Sequence, residues 1–387
     1  MIAMDHRRGG TGGPLRILQL HGTFDQGGKE ARVVRLMNHW GVRASHDILV
    51  GEAGAIAAGA GIEPGIPFRF VDGPRLYGKP TFSRLNDLAR FMRDYDLILS
   101  FNWGAMDGVM AHCLFRRLKR LPPLIHHEDG FNSDEAHGRI PTRNRYRQVA
   151  LAGAKALVVP SSLLARIAQK EWHQRAEKVH HIPNGIDVPA YAGRRPAATI
   201  PGLEPDGRLV VGTLAGLRPV KNLRRLVRAV APLRDKVRLV IVGEGEERAL
   251  IQAEADALGM SDIVMPGFLA RPQDYIGAFD LFALSSDSEQ FPISLVEAMA
   301  AGLPVVSTDV GDVSAMVASG NRPFVVAPQD EAALAAAFAR LVGDATLRAE
   351  LGDANRKRAM LCFDEKVMFT LYARLYGTTV GAEQALV

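Results

Sequence analysis

Short apolar runs alternate with segments of helical periodicity along most of the chain. In the first half, the apolar runs cover residues 15–22, 46–51, 96–101, 122–128 and 156–161. Between the first two runs, residues 31–41 carry apolar side chains at helical spacing and end at Gly41, a natural helix C-cap. This alternation predicts a parallel, doubly wound sheet with helices on its faces.

The second half repeats the same pattern after an interruption. Residues 183–208 are rich in Pro and Gly and lack periodicity, which predicts a linker. Residues 363–380 form an amphipathic pattern that predicts a helix after the second sheet. We therefore expect two Rossmann-like domains facing across a cleft, with ligands beyond the carboxyl ends of the strands. The apolar runs of this half are 209–216, 237–245, 262–268, 281–286 and 304–309.

Length and composition agree with two globular domains. The chain has 387 residues, 47% of them apolar and 23% charged, which is too long for one ordinary core. The net charge of +5 is compatible with an anionic substrate, a membrane surface or nucleic acid. Two cysteines cannot build a disulfide framework or a four-ligand zinc site, so we expect a reducing compartment. Residues 1–14 have charge but no apolar segment, so we expect a loose tail there.

The most informative stretch is "SSDSEQFPISLVEAMAAGLPVVSTD", residues 285–309. It predicts a strand-end loop and then a helix with Pro292 in its first position, where the missing N–H costs nothing. Free amides near Ser294 and Leu295 would suit a phosphate. Glu289 and Glu297 could each accept two hydroxyl protons of a sugar. The alternative is that Glu297 is an ordinary helix-surface residue and Glu289 a first-turn charge favoured by the helix dipole.

A basic loop follows the first strand of the second half. Arg218 and Lys221 lie between a strand that ends near Leu214 and a basic helix. Two cations in such a loop suit a diphosphate, Lys as a point charge and Arg as a planar fork. For the helix arginines we expect only a solvated basic face; they are Arg224, Arg225 and Arg228.

Two loops contain pairs of glycines. Gly27 and Gly28 lie in "DQGGKE", and Gly243 lies in "VGEGEER" directly after an apolar run. Glycine lets a backbone come close to a ligand, but tight turns also require it. No complete dinucleotide fingerprint follows a strand, which argues against a nicotinamide oxidoreductase.

Polar residues also cluster at the end of the fourth run of the first half. "LIHHEDGF" places His126, His127, Glu128 and Asp129 at a strand end. Zinc is conceivable there, but a polar loop around a substrate or a structural histidine is the simpler interpretation. "RDYD", residues 93–96, fits a short Asp-x-Asp pattern, which we interpret as the turn before a strand.

The segment 114–122, "LFRRLKRLP", mixes apolar and basic residues. Such a mixture could lie on an anionic membrane surface. The alternative is an ordinary solvated helix face.

Together these stretches resemble retaining glycosyltransferases of the GT-B fold, in the large family-four (group 1) class. The resemblance covers nearly the whole chain from Leu15 onward, and its most specific element is Glu289-x7-Glu297. "IPNGID", "VGEGEER", "DQGGKE" and "RPVKN" match further landmarks of that family. The resemblance implies an acceptor-binding domain at 15–190, completed by a last helix, 365–387, that crosses back to it, and a nucleotide-sugar-binding domain at 205–364.

The resemblance also implies roles for individual residues. Glu297 would hold the ribose hydroxyls of the nucleotide, and Glu289 would contact the transferred sugar. Lys221 and an arginine would neutralise the diphosphate leaving group, without a divalent metal. The remaining donor-site candidates are Gly27, Gly28, Gly243, Phe291, Pro292, Ile293, Ser294 and Leu295.

The sequence departs from the family pattern at three places. The usual arginine of the phosphate loop is Gly216 here, so we expect Arg218 to take its role. Gln290 follows the first Glu, where Gly is common. The place of a common histidine is taken by Asp129 or by one of the two preceding histidines, His126 or His127.

The sequence therefore predicts a hexosyltransferase that uses a UDP- or GDP-linked sugar and no other cofactor. Its acceptor would be a glycan or a lipid-linked molecule, as in polysaccharide biosynthesis or lipid glycosylation, and not a nucleic acid. We expect it in the cytoplasm, and at the inner face of the membrane if it binds anionic lipid. The alternatives are another GT-B sugar-nucleotide enzyme, such as an epimerase, and a catalytically weak membrane-surface binding protein.

Overall fold

The computed structural model describes residues 13–25, 27–131, 135 and 138–386, and these form two compact units. The first unit contains the chain up to Ile182 together with the residues from Met368 onward. The second unit is Pro183–Val367. Most of the expected N-terminal tail lies outside the described residues.

The first unit is built on a seven-stranded sheet in which each described strand pairs in parallel with its neighbours. The strand order is β3-β2-β1-β4-β5-β6-β7. The order reverses at β1, so the carboxyl ends of β1 and β4 flank the switch point where open α/β sheets bind ligands. The strands are β1 Leu15–His21, β2 Ala44–Val50, β3 Phe68–Phe70, β4 Leu97–Phe101, β5 Leu124–His127, β6 Ala156–Val159 and β7 Val179–His181.

The second unit is built on a six-stranded parallel sheet with the order β10-β9-β8-β11-β12-β13. Its switch point lies between β8 and β11, which are neighbours in the sheet. Loops after these two strands therefore share one edge of the sheet. The strands are β8 Leu209–Leu214, β9 Val237–Val242, β10 Val264–Gly267, β11 Leu281–Leu284, β12 Val305–Thr308 and β13 Val325–Val326.

The helices cover both faces of the two sheets. Each sheet separates two apolar clusters, as the buried strands of a doubly wound fold require. In the first unit the helices are α1 Gly28–Trp40, α2 Phe82–Phe91, α3 Met106–Lys119, α4 Pro141–Ala152 and α5 Ser162–Lys170. The later helices are α6 Leu223–Val230, α7 Arg248–Ala257, α8 Ile293–Ala300, α9 Val313–Met316, α10 Glu331–Gly343, α11 Ala345–Cys362 and α12 Glu365–Val380.

The last helix, α12, packs into the core of the first unit. Met368, Phe369, Tyr372 and Tyr376 are buried in the same cluster as the α1 residue Trp40. The ring of Tyr376 lies 5.4 Å from that of Trp40. The prediction of two parallel-sheet Rossmann-like domains with a last helix that returns to the first one is confirmed.

The segment 183–208 is not the free linker that its Pro and Gly content predicted. Short 3-10 turns form at Val188–Tyr191 and Ala197–Thr199. Apolar side chains hold it against the second unit, because they are buried in the cluster around α8. These side chains are Ile186, Val188, Tyr191, Ile200 and Leu203.

Within the described ranges, none of the helices is long and apolar enough to cross a lipid bilayer.

Candidate active site

Lys221 and Glu289 are in direct contact at the switch-point edge of the second sheet. Lys221 Nζ lies 2.5 Å from Glu289 Oε1, and only 17% and 13% of the two side chains is exposed. The Ser286 hydroxyl donates to the same Glu289 oxygen at 2.7 Å. A small pocket lies beside them, lined also by Thr213 and Ser294. Both charged residues were identified from the sequence, but their pairing was not predicted.

Two loops bring this pair together. The Ser285 hydroxyl donates to the Lys221 carbonyl at 3.0 Å, and the Asp287 amide donates to the Val220 carbonyl at 2.8 Å. Gly311 fixes the backbone of the Glu289 loop from the other side. A Cβ at Gly311 would lie 2.5 Å from the Glu289 carbonyl oxygen, and its φ of +59° also favours glycine.

The helix α8 begins one residue later than expected. Pro292 is its N-cap residue, and Ile293 is the first helical residue. We had expected the amide of Leu295 to be free, but it donates to the Pro292 carbonyl at 3.2 Å. Phe291 is buried against Phe363, with ring centroids 5.6 Å apart. Phe291 therefore holds the start of the helix in the core of the second unit.

Glu297 is half-buried on α8 and bonded to the segment that had been expected to be a linker. Its Oε1 accepts a hydrogen bond from the Tyr191 hydroxyl at 3.0 Å. Burial, and then the charge of Glu297, raise the pKa of Tyr275. Two tyrosines thus lie near this carboxylate. Sequence reasoning missed Tyr191, because one aromatic residue in a Pro-rich stretch gives no periodic signal.

The loop after β8 passes close to the loop after β9. Gly243 has a φ of +143°, and a Cβ there would lie 1.9 Å from the Ala215 carbonyl oxygen, so no other residue fits. Arg218 is exposed, and we find no ion pair for it in the described ranges. Its Nε lies 3.5 Å from the position that a Cβ at Gly216 would take.

One expectation about the neighbouring helix is wrong. Arg225 is not on a solvated face, since it is buried and bonded to the backbone of the β11 loop. Its Nη1 donates to the Ser285 carbonyl at 3.1 Å and lies 2.7 Å from Asp287. Burial of a cation requires such partners, and here they fix the loop that carries Glu289.

In the first unit, Arg32 on α1 and Asp129 after β5 form a two-pronged ion pair. One arm joins Arg32 Nη2 to Asp129 Oδ2 at 2.9 Å, and the other joins Nη1 to Oδ1. The Arg32 side chain is buried, and that of Asp129 is mostly buried. The Asp129 amide donates to the Asn102 side chain at 2.8 Å, so Asp129 is fixed at both its backbone and its side chain.

His127 lies inside the core of the first unit. Its Nδ1 bonds to the Ser100 carbonyl at 3.2 Å, and its Nε2 accepts from the Tyr376 hydroxyl at 2.7 Å. Burial and then the charge of Arg32 hold its pKa well below the usual range, so the ring is neutral. His126 is also buried, and its Nδ1 bonds to the Ser100 hydroxyl at 2.9 Å.

Gly27 and Gly28 lie at the start of α1. Gly28 is the first helical residue, and Gly27 is extended at a φ of −168°, which any residue can adopt. The space at Gly27 is limited, because a Cβ there would lie 2.7 Å from Glu30 Oε2. Lys29 pairs with Glu30 at 2.8 Å. A side chain at Gly27 would therefore displace a mostly buried ion pair.

No group of three or more His, Cys, Asp or Glu side chains suited to a metal ion occurs in the part of the chain that the structure describes. In the "RDYD" segment, Met92–Asp94 is a 3-10 turn and Asp96 accepts the Arg16 amide at 2.9 Å. Asp96 therefore fixes the start of β4.

Two family models match the chain in series. Residues 26–189 match Glycosyltransferase Family 4, and residues 198–358 match Glycosyl transferases group 1. The first of these segments contains Asp129, and the second contains Lys221, Glu289 and Glu297.

Individual relatives are similar over part of their length. EpsF of Bacillus subtilis is 30% identical over 259 residues, which is 61% of this chain and 66% of EpsF. A D-inositol 3-phosphate glycosyltransferase of Nocardia farcinica is 32% identical over 65% of this chain and 59% of the relative. The chain thus spans less than two thirds of the length of these curated relatives.

Solved structures share the fold. HepE of Anabaena, in its complex with UDP, superimposes with a TM-score of 0.78 over 94% of this chain and 100% of HepE, at 22% identity. Another HepE structure contains UDP-glucose.

Proposed function

Because the chain carries a Glycosyltransferase Family 4 domain followed by a Glycosyl transferases group 1 domain, we propose that it transfers a hexose-type sugar from a nucleotide-diphosphate sugar to a glycan or lipid-linked acceptor. The observation that carries this proposal is the Lys221–Glu289–Ser286 cluster at the switch-point edge of the second sheet. A cation and a hydroxyl-binding carboxylate side by side suit the junction of a diphosphate and a sugar.

The leaving group needs positive charge. When the bond between the sugar and the diphosphate breaks, its electron pair stays on a phosphate oxygen. Fixed cations near that oxygen lower the barrier, and losing one such group costs about 3 kcal/mol. Lys221 supplies this charge by moving from Glu289 to the diphosphate, which leaves Glu289 for the sugar hydroxyls. No divalent metal is needed in this scheme.

Arg218 supplies the second cation. Its guanidinium already lies near the space beside Gly216, where the family commonly has its arginine. The acceptor hydroxyl attacks the face that the diphosphate leaves, so the anomeric configuration is retained. Its proton passes to the departing phosphate oxygen, which balances the step without a protein nucleophile.

The rest of the donor is bound by α8 and the two glycine loops. Glu297 accepts hydrogen bonds from the ribose hydroxyls, and Gly243 lies along the nucleotide together with Ile293 and Ser294 at the start of α8. Phe291, Pro292 and Leu295 support that start from the core. HepE has been solved with UDP and UDP-glucose, which supports a UDP-linked donor, and a GDP-linked donor is the second candidate. Gly27 and Gly28 line the donor–acceptor junction.

The sugar contact from the first unit is assigned to Asp129 and not to His127. Both ring nitrogens of His127 are engaged, so it positions the end of β5. Asp129 is the more exposed of the two residues, and its pairing with Arg32 fixes its orientation. The site of action would be the cytoplasm, and the inner membrane face for a lipid-linked acceptor.

An epimerase would use the same nucleotide sugar without an acceptor. It would convert the donor into its epimer, and adding an acceptor would not cause release of a nucleoside diphosphate. A weakly catalytic membrane-surface binding protein would bind the donor without turnover. Chromatography of the nucleotide products separates all three functions.

A thermal-shift screen against UDP, GDP, ADP, CMP and NAD tests the proposal. A nucleoside diphosphate at a hundredfold excess over its dissociation constant should stabilise the protein by about 2.7 kcal/mol. Stabilisation by NAD alone would contradict the donor assignment.

A further inference from the structure

The helix α3 presents an outward face of exposed side chains. Leu114, Arg117 and Leu118 follow one another at the spacing of a single helix face. Leu118 is 80% exposed and Leu114 is 54% exposed, among the more exposed large apolar side chains of the first unit. Such leucines are costly in water unless another surface covers them.

Apolar side chains on the neighbouring helices extend this face. Phe82 on α2 is 74% exposed and contacts the α3 residue Phe115, with ring centroids 5.3 Å apart. Val149 on α4 is exposed, and its carbonyl accepts from the Cys113 thiol at 3.2 Å. The leucines therefore lie between two further apolar side chains.

Basic side chains accompany the apolar ones in the last turn of the helix. Arg116, Arg117 and Lys119 lie in the last turn of α3, and Arg120 follows it. Positive charge at a helix C-terminus stabilises the helix dipole, which explains these residues in part. It does not explain the leucines between them.

Acidic residues are scarce in the sequence around this face, and the partly exposed Asp87 on α2 is paired with Arg90 at 3.7 Å. Residues 108–127 and 136–170 contain no Asp or Glu. The acidic residue of α3, Asp107, is paired with Arg84 at 2.6 Å and bonded to the Tyr146 hydroxyl. The face is therefore complementary to a surface that carries negative charge on its outside and has an apolar layer beneath.

We propose that this face, formed by Leu114, Arg117 and Leu118 with the basic residues around them, docks the protein on an anionic lipid bilayer. The basic groups contact lipid phosphates, and the leucines enter the boundary between headgroups and acyl chains. The proposal deepens the lipid-linked acceptor of the proposed function, but it can be tested without any donor or acceptor.

The test is flotation of the full chain with phosphatidylcholine vesicles, with and without phosphatidylglycerol, at low and high salt. We expect binding to the anionic vesicles that weakens as salt screens the charges. Leu114→Ser with Leu118→Ser should reduce binding at either salt concentration. Arg117→Glu with Arg120→Glu should reduce it by at least about fivefold per charge at low salt.

The matched control is Leu250→Ser with Lys357→Glu, which removes one exposed leucine and one exposed cation from the second unit. It should float like the unchanged protein. Any one of four results would overturn the proposal: an equal loss of flotation in this control, equal binding to neutral vesicles, unchanged flotation of both α3 variants, or no binding to anionic vesicles. In the last case an acidic protein or glycan would be the better occupant.

Failure of the docking proposal is separate from failure of the proposed function. Nucleotide stabilisation of the α3 variants, measured in solution without vesicles, should equal that of the unchanged protein. That measurement also shows that the variants are folded.

Discussion

At the scale of single residues, the candidate site combines charges that neutralise one another before the donor arrives. Lys221 and Glu289 form a mostly buried pair, so neither charge is left without a partner in the free protein. In the proposed function, a diphosphate would offer Lys221 a stronger partner, and the carboxylate released from the ion pair would become a hydrogen-bond acceptor. Donor binding would then be an exchange of partners within one cluster.

Glu297→Ala should weaken nucleotide-sugar binding by roughly tenfold or more, because hydrogen bonds to a charged group contribute about 1.5–3 kcal/mol each. Calorimetry with the nucleoside diphosphate measures the change. The control is Glu350→Ala, an exposed carboxylate on α11 that should have no effect. Unchanged affinity of the Glu297 variant would refute the ribose assignment.

Arg218→Ala should lower turnover about a hundredfold, since it removes one cation from the developing phosphate charge. Arg224→Ala is the matched control, because Arg224 is also exposed and pairs with Glu247 at 3.6 Å. Initial rates of nucleoside diphosphate release give the comparison. If the two variants behave alike, Arg218 does not replace the arginine missing at Gly216.

At the scale of elements, a buried hydrogen bond adds to the apolar packing that holds α12 in the first unit. The Tyr376 hydroxyl donates to His127 Nε2, and both groups are buried. The neighbouring Tyr372 hydroxyl is also buried, but it has no hydrogen-bond partner among the described residues. Removing the hydroxyl group should therefore have different effects on stability at these two tyrosines of α12.

Tyr376→Phe should lower the free energy of unfolding by about 1–3 kcal/mol, because it leaves His127 Nε2 buried and unsatisfied. Tyr372→Phe should be neutral or stabilising, since it removes an unsatisfied polar group. Urea unfolding of both variants measures the difference. If Tyr376→Phe is as neutral as Tyr372→Phe, the ring packing that both variants keep, and not the hydrogen bond, holds α12.

Elements were easier to predict than contacts between them. The long apolar runs gave strands such as β1 and β9, because continuous burial leaves a clear pattern. The short strands β3, β7 and β13 were missed, since two or three partly exposed residues carry no period.

Contacts between distant residues were not predictable for a different reason. The pairing of Arg32 with Asp129 joins residues 97 positions apart, and Tyr191 with Glu297 joins residues 106 apart. Such distances are set by the tertiary fold and leave no local signal. The residues of the motif around Glu289 were identifiable because their spacing along one loop and helix is local.

At the scale of the whole molecule, buried neutral histidines make stability depend on pH. Burial lowers the pKa of His46 and His112 to about 4, and it holds the pKa values of His21 and His127 well below the usual range. Unfolded histidines titrate near pH 6.5. Below that pH the unfolded chain binds more protons than the folded one, so acid favours unfolding.

The free energy of unfolding should therefore fall as the pH drops from 6.5 toward 4, by about 1.4 kcal/mol per pH unit for each such histidine. His112→Gln tests one of them, because glutamine can still donate to the Pro122 carbonyl that His112 contacts at 2.9 Å. Denaturant unfolding at several pH values should show a shallower slope for this variant. An unchanged slope would show that His112 is not neutral in the folded state.

The measurement that tests the central claim most directly is nucleoside diphosphate release from a panel of UDP- and GDP-sugars, for the unchanged protein and for Lys221→Ala. We expect release from one donor, and a rate about a hundredfold lower in the variant because the leaving-group cation is gone. Equal rates for the two proteins would contradict the assignment of the Lys221–Glu289 cluster as the active site. No release from any donor, with or without glycan and lipid acceptors, would contradict glycosyl transfer itself.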